Sequence, residues 1–327
     1  MIDATVIIVS YNVRDFLVRC LSSLEQAAPG RAIEVIVVDN GSSDGTVETI
    51  RRLFPPVTVI ANGTNPGFGA ANNQALRSAR GRAVLFLNPD TEVRPGALTT
   101  LLEYLETHPE VGMVGPRLLS ADGQGQSSRR RFPTLVTALV ESTVLQRLWS
   151  GWPALRQYYM EDCSDNRTQE VDWLVGACLL VRRTVIDRVG GFDERFFMYS
   201  EELDLCRRLR AHDWKIVYLP SATVVHYEGR SSEQNTILRA QRFNESKARY
   251  FEKYHGPAVG RALRLFLLAS TLAELGIEMA KLAALHRPSL RWQRMRALFA
   301  VARYQARHLN GFPLPSAPET GSRRPCA

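Results

Sequence analysis

The sequence predicts an α/β fold with a Rossmann-like, mostly parallel sheet flanked by helices, and three observations lead to this prediction. Strand-like and helix-like segments alternate over the first 110 residues, the strand-like segments are near-continuous runs of Val, Ile and Leu, and polar loops follow them. Strands that are apolar along their whole length are typical of parallel sheets buried on both faces. The alternation is typical of a doubly wound architecture.

Four strand–helix pairs are expected in the first half. The predicted strands span residues 5–10, 34–39, 57–61 and 83–87, and the predicted helices span residues 13–27, 45–54, 69–79 and 95–105. The loops at 10–12, 39–45, 62–69 and 88–90 then open on one edge of the sheet, because the carboxyl ends of parallel strands meet there. Ligands of open α/β sheets bind at that edge.

The second half is less regular. Residues 112–131 predict a loop, and residues 135–170 carry no recognisable pattern. Residues 171–183 predict a strand, followed by a short helix, a turn at 190–191, a charged helix over 201–212, a strand over 215–219 and an apolar run that ends at His226. Beyond residue 254 the sequence becomes helical, apolar and basic.

The net charge of +8 is located in the last part of the chain. Residues 1–255 contain 30 basic and 30 acidic side chains, whereas residues 256–327 contain 11 basic and 3 acidic ones. A diffuse basic surface for nucleic acid is therefore disfavoured, and no nucleic-acid partner is expected. A basic tail mixed with apolar residues instead favours anionic lipid. The strand-like start, without a charged leader before an apolar segment, predicts a cytoplasmic protein.

Phosphate-binding loops of the common kinds are missing from the sequence. No GxGxxG follows the first strand and no GxxxxGK[ST] occurs, so a bound phosphate must be held in another way, such as by a metal ion. Asp90 closes the apolar run VLFLNPD and is placed for this role at a strand end. Taken alone, an Asp in this position is more typical of a turn or of a cap for the next helix.

Six segments in order give the chain a family resemblance. They are VIIVSYN at 6–12, VIVVDNGSSDGT at 35–46, NPGFGAANN at 65–73, LFLNPDT at 85–91, GGFDERFFMYSEELDLCRRL at 190–209 and HYEGRSS at 226–232. Together they resemble the family-2 inverting glycosyltransferases, particularly their rhamnosyltransferase-like branch, over roughly residues 3–250. The resemblance implies a GT-A fold over residues 1–255, with a nucleotide-binding half at 1–110 and an acceptor and catalytic half at 111–255.

The resemblance also implies which residues bind the donor. Tyr11 is expected to stack on the nucleotide base and Asp39 to accept hydrogen bonds from the base or ribose. The other expected donor-binding residues are Gly67, Gly69, Asn73, Asn88 and Asp90, of which the first three lie where a helix N-terminus can face the nucleotide. A core role for Tyr11, a turn role for Asp39 and an ordinary loop role for the glycines stay open.

A divalent metal, Mg²⁺ or Mn²⁺, is implied as cofactor. Asp90 matches the last position of the family's Asp-x-Asp motif, whose first Asp is replaced here by Asn88. His226 is the expected second ligand from the protein, although a lone His after an apolar run is more often structural.

Inverting transfer requires a base for the acceptor hydroxyl, and Glu202 matches that position. Glu201 beside it, with Trp173, Gly176 and Asp193, is expected on the acceptor side. For the last three, core packing and turn capping are alternatives at least as strong. Glu201 and Glu202 also favour a helix N-terminus electrostatically, and the helix dipole there is expected to lower the pKa of the base.

The tail is predicted to form amphipathic basic helices over residues 256–310, with disorder over 311–327. Its longest uncharged stretch within residues 261–285 is 265–273, which is too short to span a bilayer. On a helical wheel Arg264, Thr271, Glu274, Glu278 and Lys281 share one side and leave a wide apolar face. Residues 261–308 can dock that face on the catalytic domain, pair two subunits or lie in a membrane surface.

The expected reaction moves a deoxyhexose such as rhamnose from dTDP-rhamnose or a UDP-sugar to a hydroxyl of a glycan or lipid-linked glycan in cell-surface polysaccharide synthesis. The expected location is the cytoplasm, peripheral to the inner face of the membrane. Three alternatives stay open: a sugar nucleotidyltransferase, which the loop Ser10-Tyr11-Asn12 disfavours for want of glycine, a glycoside hydrolase with two carboxylates, and a catalytically weak or dead scaffold that binds a glycan or nucleotide-sugar.

Overall fold

The computed structural model describes residues 1–148, 151–227, 236–284 and 287–312. Its first part alternates strands and helices as the sequence predicts. The elements are β1 (Ala4–Ser10), α1 (Arg14–Leu24), β2 (Ile33–Asp39), α2 (Thr46–Leu53), β3 (Thr58–Ala61), α3 (Phe68–Leu76), β4 (Ala83–Leu87), β5 (Thr91–Val93) and α4 (Ala97–Thr107). Only the short strand β5 has no counterpart in the prediction.

Strands β1 to β4 are parallel and stand in the order β3-β2-β1-β4. The chain reverses its direction of growth between β1 and β4, which is the kind of switch point where α/β sheets bind ligands. Alternate residues along these strands enter two apolar cores, such as Ile7 on one face and Ile8 on the other. Both faces of the sheet are therefore buried, which explains the unbroken apolar runs.

The predicted loop over residues 112–131 is wrong, because β6 (Val111–Leu119) runs through the central sheet, followed by β7 (Gly125–Gln126) and β8 (Arg129–Arg130). Glycines in β6 interrupt its apolar pattern and favour a loop prediction. A Cβ on Gly112 would lie 2.9 Å from Trp214 Cβ, and one on Gly115 would lie 2.8 Å from Leu174 Cδ1. The strand needs glycine where other side chains pack on its backbone.

The rest of the second half supplies short elements and completes the sheet. Residues 135–170, which carry no sequence pattern, form α5 (Leu135–Val140), α6 (Val144–Leu148), α7 (Pro153–Tyr158) and β9 (Gln169–Glu170). The predicted strand over 171–183 is two strands, β10 (Trp173–Leu174) and β11 (Cys178–Arg182). Then follow α8 (Arg183–Val189), α9 (Glu201–Ala211) and β12 (Lys215–His226), which joins the two predicted segments.

The sheet continues beyond β4 as β11-β6-β12-β5, with β11 antiparallel to β4 and to β6, and β12 parallel to β6. Strand β12 carries His226 at its end, opposite Thr91 of β5. This pairing brings the end of the second half beside the loop after β4.

Three helices complete the described chain: α10 (Thr236–His255), α11 (Pro257–Ala283) and α12 (Pro288–Arg307). No helix among the described residues is long and apolar enough to cross a membrane. Helix α11 buries Arg264, Thr271 and Glu278, whereas Leu265 and Leu272 are half exposed. Of the three predicted alternatives, α11 does dock on the catalytic part, but through a side that includes Leu263 and Leu267 and not through the predicted apolar face. The sequence predicts disorder over residues 311–327, and residues 313–327 lie outside the described residues.

Candidate active site

A cavity of about 230 Å³ lies at the carboxyl ends of β1 and β4 and receives residues from both halves of the chain. Seven of the residues predicted from the sequence line it: Tyr11, Asn88, Asp90, Gly176, Glu201, Glu202 and His226. The loops after β1 and β4 supply the first three, the break between β10 and β11 supplies Gly176, and the start of α9 and the end of β12 supply the rest. The switch point of the sheet is thus the centre of the candidate site.

Asp90 and His226 face each other in this cavity. The distance from His226 Nε2 to Asp90 Oδ1 is 3.5 Å, and the two side chains are only 8% and 5% exposed. The backbone N–H of Tyr227 donates to the carbonyl oxygen of Asp90 over 2.9 Å, which fixes the two segments against each other.

Gln126 of β7 orients His226. The amide Nε2 of Gln126 donates to the backbone carbonyl of His226 over 2.8 Å, so its Oε1 is the atom that lies 3.1 Å from His226 Nδ1. Because Oε1 can only accept, Nδ1 carries the hydrogen of this bond, and in the neutral ring Nε2, the nitrogen nearer Asp90, would have the lone pair that a metal needs. A ligating histidine held through its other nitrogen is the usual arrangement at metal sites.

These groups fit a divalent cation that is shared with a substrate. No cluster of three or more His, Cys, Asp or Glu side chains suited to a metal occurs in the described parts of the chain. One carboxylate and one imidazole therefore leave most coordination positions to water and to phosphate oxygens, which is how Mg²⁺ is usually bound in phosphate chemistry. Asn88 also lines the cavity and adds a neutral side chain where a second carboxylate would add charge.

Two buried oxygens at the ends of β1 and β2 have no hydrogen-bond partners among the described residues. They are Ser10 Oγ and Asp39 Oδ1, on neighbouring positions of β1 and β2. The second carboxylate oxygen of Asp39 accepts from the backbone N–H of Ser42 over 2.8 Å. Asp39 therefore fills the turn role with one oxygen and leaves the other without a partner among the described residues, but unlike Ser10 it does not line the cavity. Tyr11 does line it and is 37% exposed.

The structure corrects the expected contacts of Gly67, Gly69 and Asn73 with the donor. The N-terminus of α3 is covered, because Phe68 N donates to the carbonyl of Phe197 over 2.8 Å. A Cβ on Gly67 would lie 2.6 Å from that same oxygen, and one on Gly69 would lie 3.2 Å from Phe192 Cβ.

Asn73 is held in the same interface. Its amide donates to the carbonyl of Phe192 over 2.9 Å and accepts from the Phe192 N–H over 2.9 Å. Gly67, Gly69 and Asn73 thus hold the segment 192–197, which leads toward α9, and do not line the cavity.

Glu201 and Glu202 start α9 at the floor of the cavity. The outer oxygens Glu201 Oε2 and Glu202 Oε2 are buried and have no hydrogen-bond partner among the described residues. Burial raises the pKa of Glu202, and burial together with the charge of Glu202 raises the pKa of Glu201 well above its usual range. The pKa expected to fall in the field of the helix therefore rises, because loss of water outweighs the backbone hydrogen bonds to the carboxylate.

An aromatic cavity of about 90 Å³ behind Glu202 explains this dry environment; Tyr158, Trp173, Tyr199 and Phe243 are among its lining residues. Tyr199 and Ser200, which lead into α9, both adopt left-handed backbone conformations, with φ of +69° and +63°. Such conformations in non-glycine residues cluster at functional sites. Ser246 of α10 donates to the carbonyl of Met198 over 2.7 Å and so secures this strained segment.

The residues predicted on the acceptor side have separate surroundings. Gly176 lies against Glu202, whose side-chain carbons would be 3.5 Å from a Cβ on the glycine. Trp173 is buried behind Glu202 and donates from Nε1 to the carbonyl of Arg131 over 3.0 Å. Asp193 pairs with Arg195 at 2.6 Å and Lys253 at 2.8 Å, and does not line the cavity. The structure thus corrects the prediction that Trp173 and Asp193 face the acceptor.

Several residues of the site were not predicted from the sequence. Ser10, Asn40, Asn65 and Arg239 line the cavity, and Gln126 holds His226. Ser10, Asn40 and Asn65 lie in the polar loops already placed at this edge, so their loop position was a usable signal. Arg239 and Gln126 lie in segments without a motif. Residues 228–232 of the HYEGRSS motif lie outside the described residues.

Comparison with known proteins gives consistent results. The model of the family described as glycosyl transferase family 2 matches residues 5–190. An N-acetylglucosaminyl-diphospho-decaprenol L-rhamnosyltransferase of Mycobacterium tuberculosis is 36% identical over 238 residues, which cover 69% of this chain and 76% of the relative. The rhamnosyltransferase WbbL of Escherichia coli is 29% identical, over 68% of this chain and 82% of its own.

Among solved structures, a mannosyltransferase of Pyrobaculum calidifontis, in complex with GDP-Man and Mn²⁺, aligns with a TM-score of 0.54. The alignment covers 93% of this chain and 86% of that one, at 20% identity. At this identity the likeness concerns the fold, which is the GT-A arrangement.

Proposed function

This chain belongs to glycosyl transferase family 2 and is a glycosyltransferase, and from that premise we propose that it moves a deoxyhexose, with rhamnose the first choice, from a nucleoside diphosphate to a hydroxyl of a lipid-linked glycan. Two rhamnosyltransferases among its relatives support the sugar, and the diphospho-decaprenol in the name of one supports the acceptor. Membership of the family does not favour the alternatives of a scaffold or a nucleotidyltransferase.

One observation carries the proposal: a single cavity joins the Asp90–His226 pair to a buried carboxyl with a raised pKa, Glu202. The Asp90–His226 pair suits the binding of a metal-bound diphosphate, and Glu202 suits the role of general base. These are the two functions that inverting glycosyl transfer needs at opposite sides of the reacting sugar carbon.

In the proposed reaction, Glu202 takes the proton of the acceptor hydroxyl while the acceptor oxygen forms a bond to C1 of the sugar. The bond from C1 to the diphosphate oxygen breaks, its electron pair leaves with the nucleoside diphosphate, and the configuration at C1 inverts. Asp90 and His226 would hold a divalent cation, Mg²⁺ or Mn²⁺, which when bound supplies positive charge to the leaving diphosphate. The dry surroundings of Glu202 raise its basicity above that of a carboxylate in water.

The other groups of the cavity bind the donor. The exposed ring of Tyr11 offers a face for the base, and Ser10 Oγ in the cavity, with Asp39 Oδ1 beside it on β2, offers acceptors for the nucleoside. Arg239 of α10 lines the cavity together with His226 and adds a positive charge for the diphosphate. Residues 1–110 then act as the donor half and residues 111–255 as the acceptor and catalytic half.

A transfer assay tests the proposal. The full chain is incubated with Mn²⁺ or Mg²⁺, a lipid-diphosphate N-acetylglucosamine acceptor and a panel of donors that includes dTDP-rhamnose and UDP-sugars. We expect release of nucleoside diphosphate, a mass gain of one deoxyhexose on the acceptor, and inverted anomeric configuration by NMR. Transfer of a different sugar would correct the donor, and a retained configuration would remove the proposed mechanism.

A further inference from the structure

Helix α11 exposes a continuous apolar stripe along its whole length. Leu265 and Leu272 are each 50% exposed and Met279 is 54% exposed, which is unusual for large apolar side chains that recur every seven residues. All members of the stripe are exposed and are spaced alternately three and four residues apart: Ala258, Ala262, Leu265, Ala269, Leu272, Gly276, Met279 and Ala283. The stripe follows one side of a helix about 40 Å long.

The orientation of α11 is fixed by its opposite side, which is buried and combines the core residues Leu263 and Leu267 with polar side chains. Arg264 pairs with Glu252 at 2.6 Å, and Glu278 pairs with Arg291 of α12 at 2.7 Å. The N–H of Val144 donates to Ser270 Oγ over 3.2 Å. Rotation of the helix to bury the apolar stripe would break these buried contacts, so the stripe is a surface of the folded chain.

The width of the exposed surface distinguishes between two kinds of partner. Apart from Arg261 near the start of the helix, the positions beside the stripe are also apolar and at least partly exposed: Phe266, Leu268, Ala273, Leu275, Ala280 and Leu282. A helix that pairs in a coiled coil has a narrow apolar seam with charged residues beside it. A wide uncharged face is instead typical of a helix that lies in the plane of a membrane surface.

The charges around this face have one sign. The exposed charged residues on the described parts of α11 and α12 are all basic: Arg261, Lys281, Arg294, Arg296, Arg303 and Arg307. Glu274 is only partly exposed. Lys281 and Arg294 lie 3.4 and 3.8 Å from the buried Glu278, so the other four carry the uncompensated charge. Two copies of this surface would repel each other, whereas an anionic lipid surface attracts it. Helix α12 adds two exposed aromatic side chains, Trp292 at 55% and Phe299 at 60%, of the kind that enter the headgroup region.

We propose that α11 and α12 bind the surface of an anionic lipid bilayer, with the apolar stripe of α11 in the boundary between headgroups and acyl chains. This inference goes beyond the proposed function and stands without it, since it depends on the exposed faces of two helices and not on the cavity. It gives the enzyme a fixed position at the surface in which a lipid-linked molecule resides.

Flotation of the full chain with vesicles tests the proposal. We expect the chain to float with vesicles of phosphatidylglycerol and phosphatidylcholine, and to float less with phosphatidylcholine alone or at high salt. The double variant Leu265→Glu/Leu272→Glu should lose at least about tenfold in the partition constant, because both side chains leave the apolar boundary. Arg296→Gln/Arg303→Gln should weaken binding to anionic vesicles only.

Leu53→Glu is the matched control, because Leu53 is also 50% exposed on a helix, α2, at another surface. It should float like the unchanged chain, and all variants should share its thermal unfolding midpoint. Equal flotation of the stripe variant and the control would overturn the proposal. So would a dimer in analytical ultracentrifugation that the stripe variant dissociates, if the unchanged chain does not float.

Discussion

His226 Nε2 lies 3.5 Å from Asp90 Oδ1 although the two residues are 136 positions apart in the chain, and both side chains are almost completely buried. The contact exists because β12 ends beside β5, the short strand that follows the Asn88-Pro89-Asp90 turn. Sheet pairing, and not sequence proximity, assembles the proposed metal site.

The charge at this site can be changed in both directions. Asp90→Asn removes the carboxylate and should abolish the metal-dependent rise in thermal stability on donor binding. Asn88→Asp adds a second carboxylate to the same turn, and the added Coulomb attraction should lower the Mn²⁺ concentration for half-maximal activity by about tenfold. Titrations of activity and melting temperature against Mn²⁺ measure both effects. A metal requirement unchanged in both variants would remove this turn from metal binding.

Gln126 is predicted to act only through His226. In Gln126→Ala the imidazole loses the acceptor that fixes its tautomer, so Mn²⁺ affinity should fall by about 10–100-fold. The control is Gln124→Ala on the same hairpin, where the exposed side chain has no such role. Both affinities are measured by calorimetry in the presence of donor. A merely structural role for Gln126 would lower thermal stability and leave the metal affinity of the remaining folded protein unchanged.

Glu202 sets the acidic limb of the pH profile in the proposed mechanism. The base acts when deprotonated, and burial raises its pKa, so activity should fall as the pH drops through a value above the ordinary range of Glu, about 4.3. Glu202→Gln should lower kcat by about 10³-fold with the affinity for donor and Mn²⁺ retained. A profile of kcat/KM against pH that lies in the ordinary Glu range would contradict the assignment.

Glu201 should cost the folded protein stability near neutral pH. Its pKa is raised by burial and by the neighbouring carboxylate, so the folded state holds a proton that the unfolded state releases. Stability then decreases as the pH rises above the unfolded pKa of about 4.3 toward the raised folded value. Glu201→Gln removes this pH-dependent loss of stability. The difference in thermal unfolding midpoint between the variant and the unchanged protein should therefore widen from pH 5 to pH 8. A gap that is constant with pH would show that Glu201 is not protonated on folding.

Much of the fold follows from the sequence, because β1 to β4 are buried on both faces and therefore read as unbroken apolar runs. Strand β6 escapes this rule, since Gly112 and Gly115 make room for Trp214 and Leu174, which lie far away in the chain. The local pattern of apolar residues cannot show that a strand position must be glycine because a side chain distant in sequence packs on it. The local sequence of residues 112–131 therefore predicts a loop where the folded chain forms β6.

The site likewise contains residues that the local sequence predicts and contacts that it does not. Strand-end loops predicted Tyr11, Asn88 and Asp90 at the cavity, because parallel strands place their ends together. The contact of Asn73 with Phe192 spans 119 residues, and no pattern in the sequence around Asn73 predicts it. The direction of the pKa shift at Glu202 was also missed, because the helix dipole is visible in sequence and the degree of burial is not.

Gly67 is predicted to be required for the packing of the catalytic segment. Its φ is +99°, and a Cβ there would lie 2.6 Å from the carbonyl oxygen of Phe197, which accepts the hydrogen bond that starts α3. Gly67→Ala should therefore lower the free energy of unfolding by at least about 2 kcal/mol, the sum of a strained backbone and a clash. Gly63→Ala in the same loop is the control, since a Cβ there meets no atom within 4 Å. It should change stability by less than about 0.5 kcal/mol. Urea unfolding measures both values, and equal effects of the two substitutions would show that Phe197 moves aside without cost. Because Phe197 precedes Tyr199 and Glu202 on the same segment, a loss confined to Gly67→Ala ties the packing of α3 to the position of the proposed base.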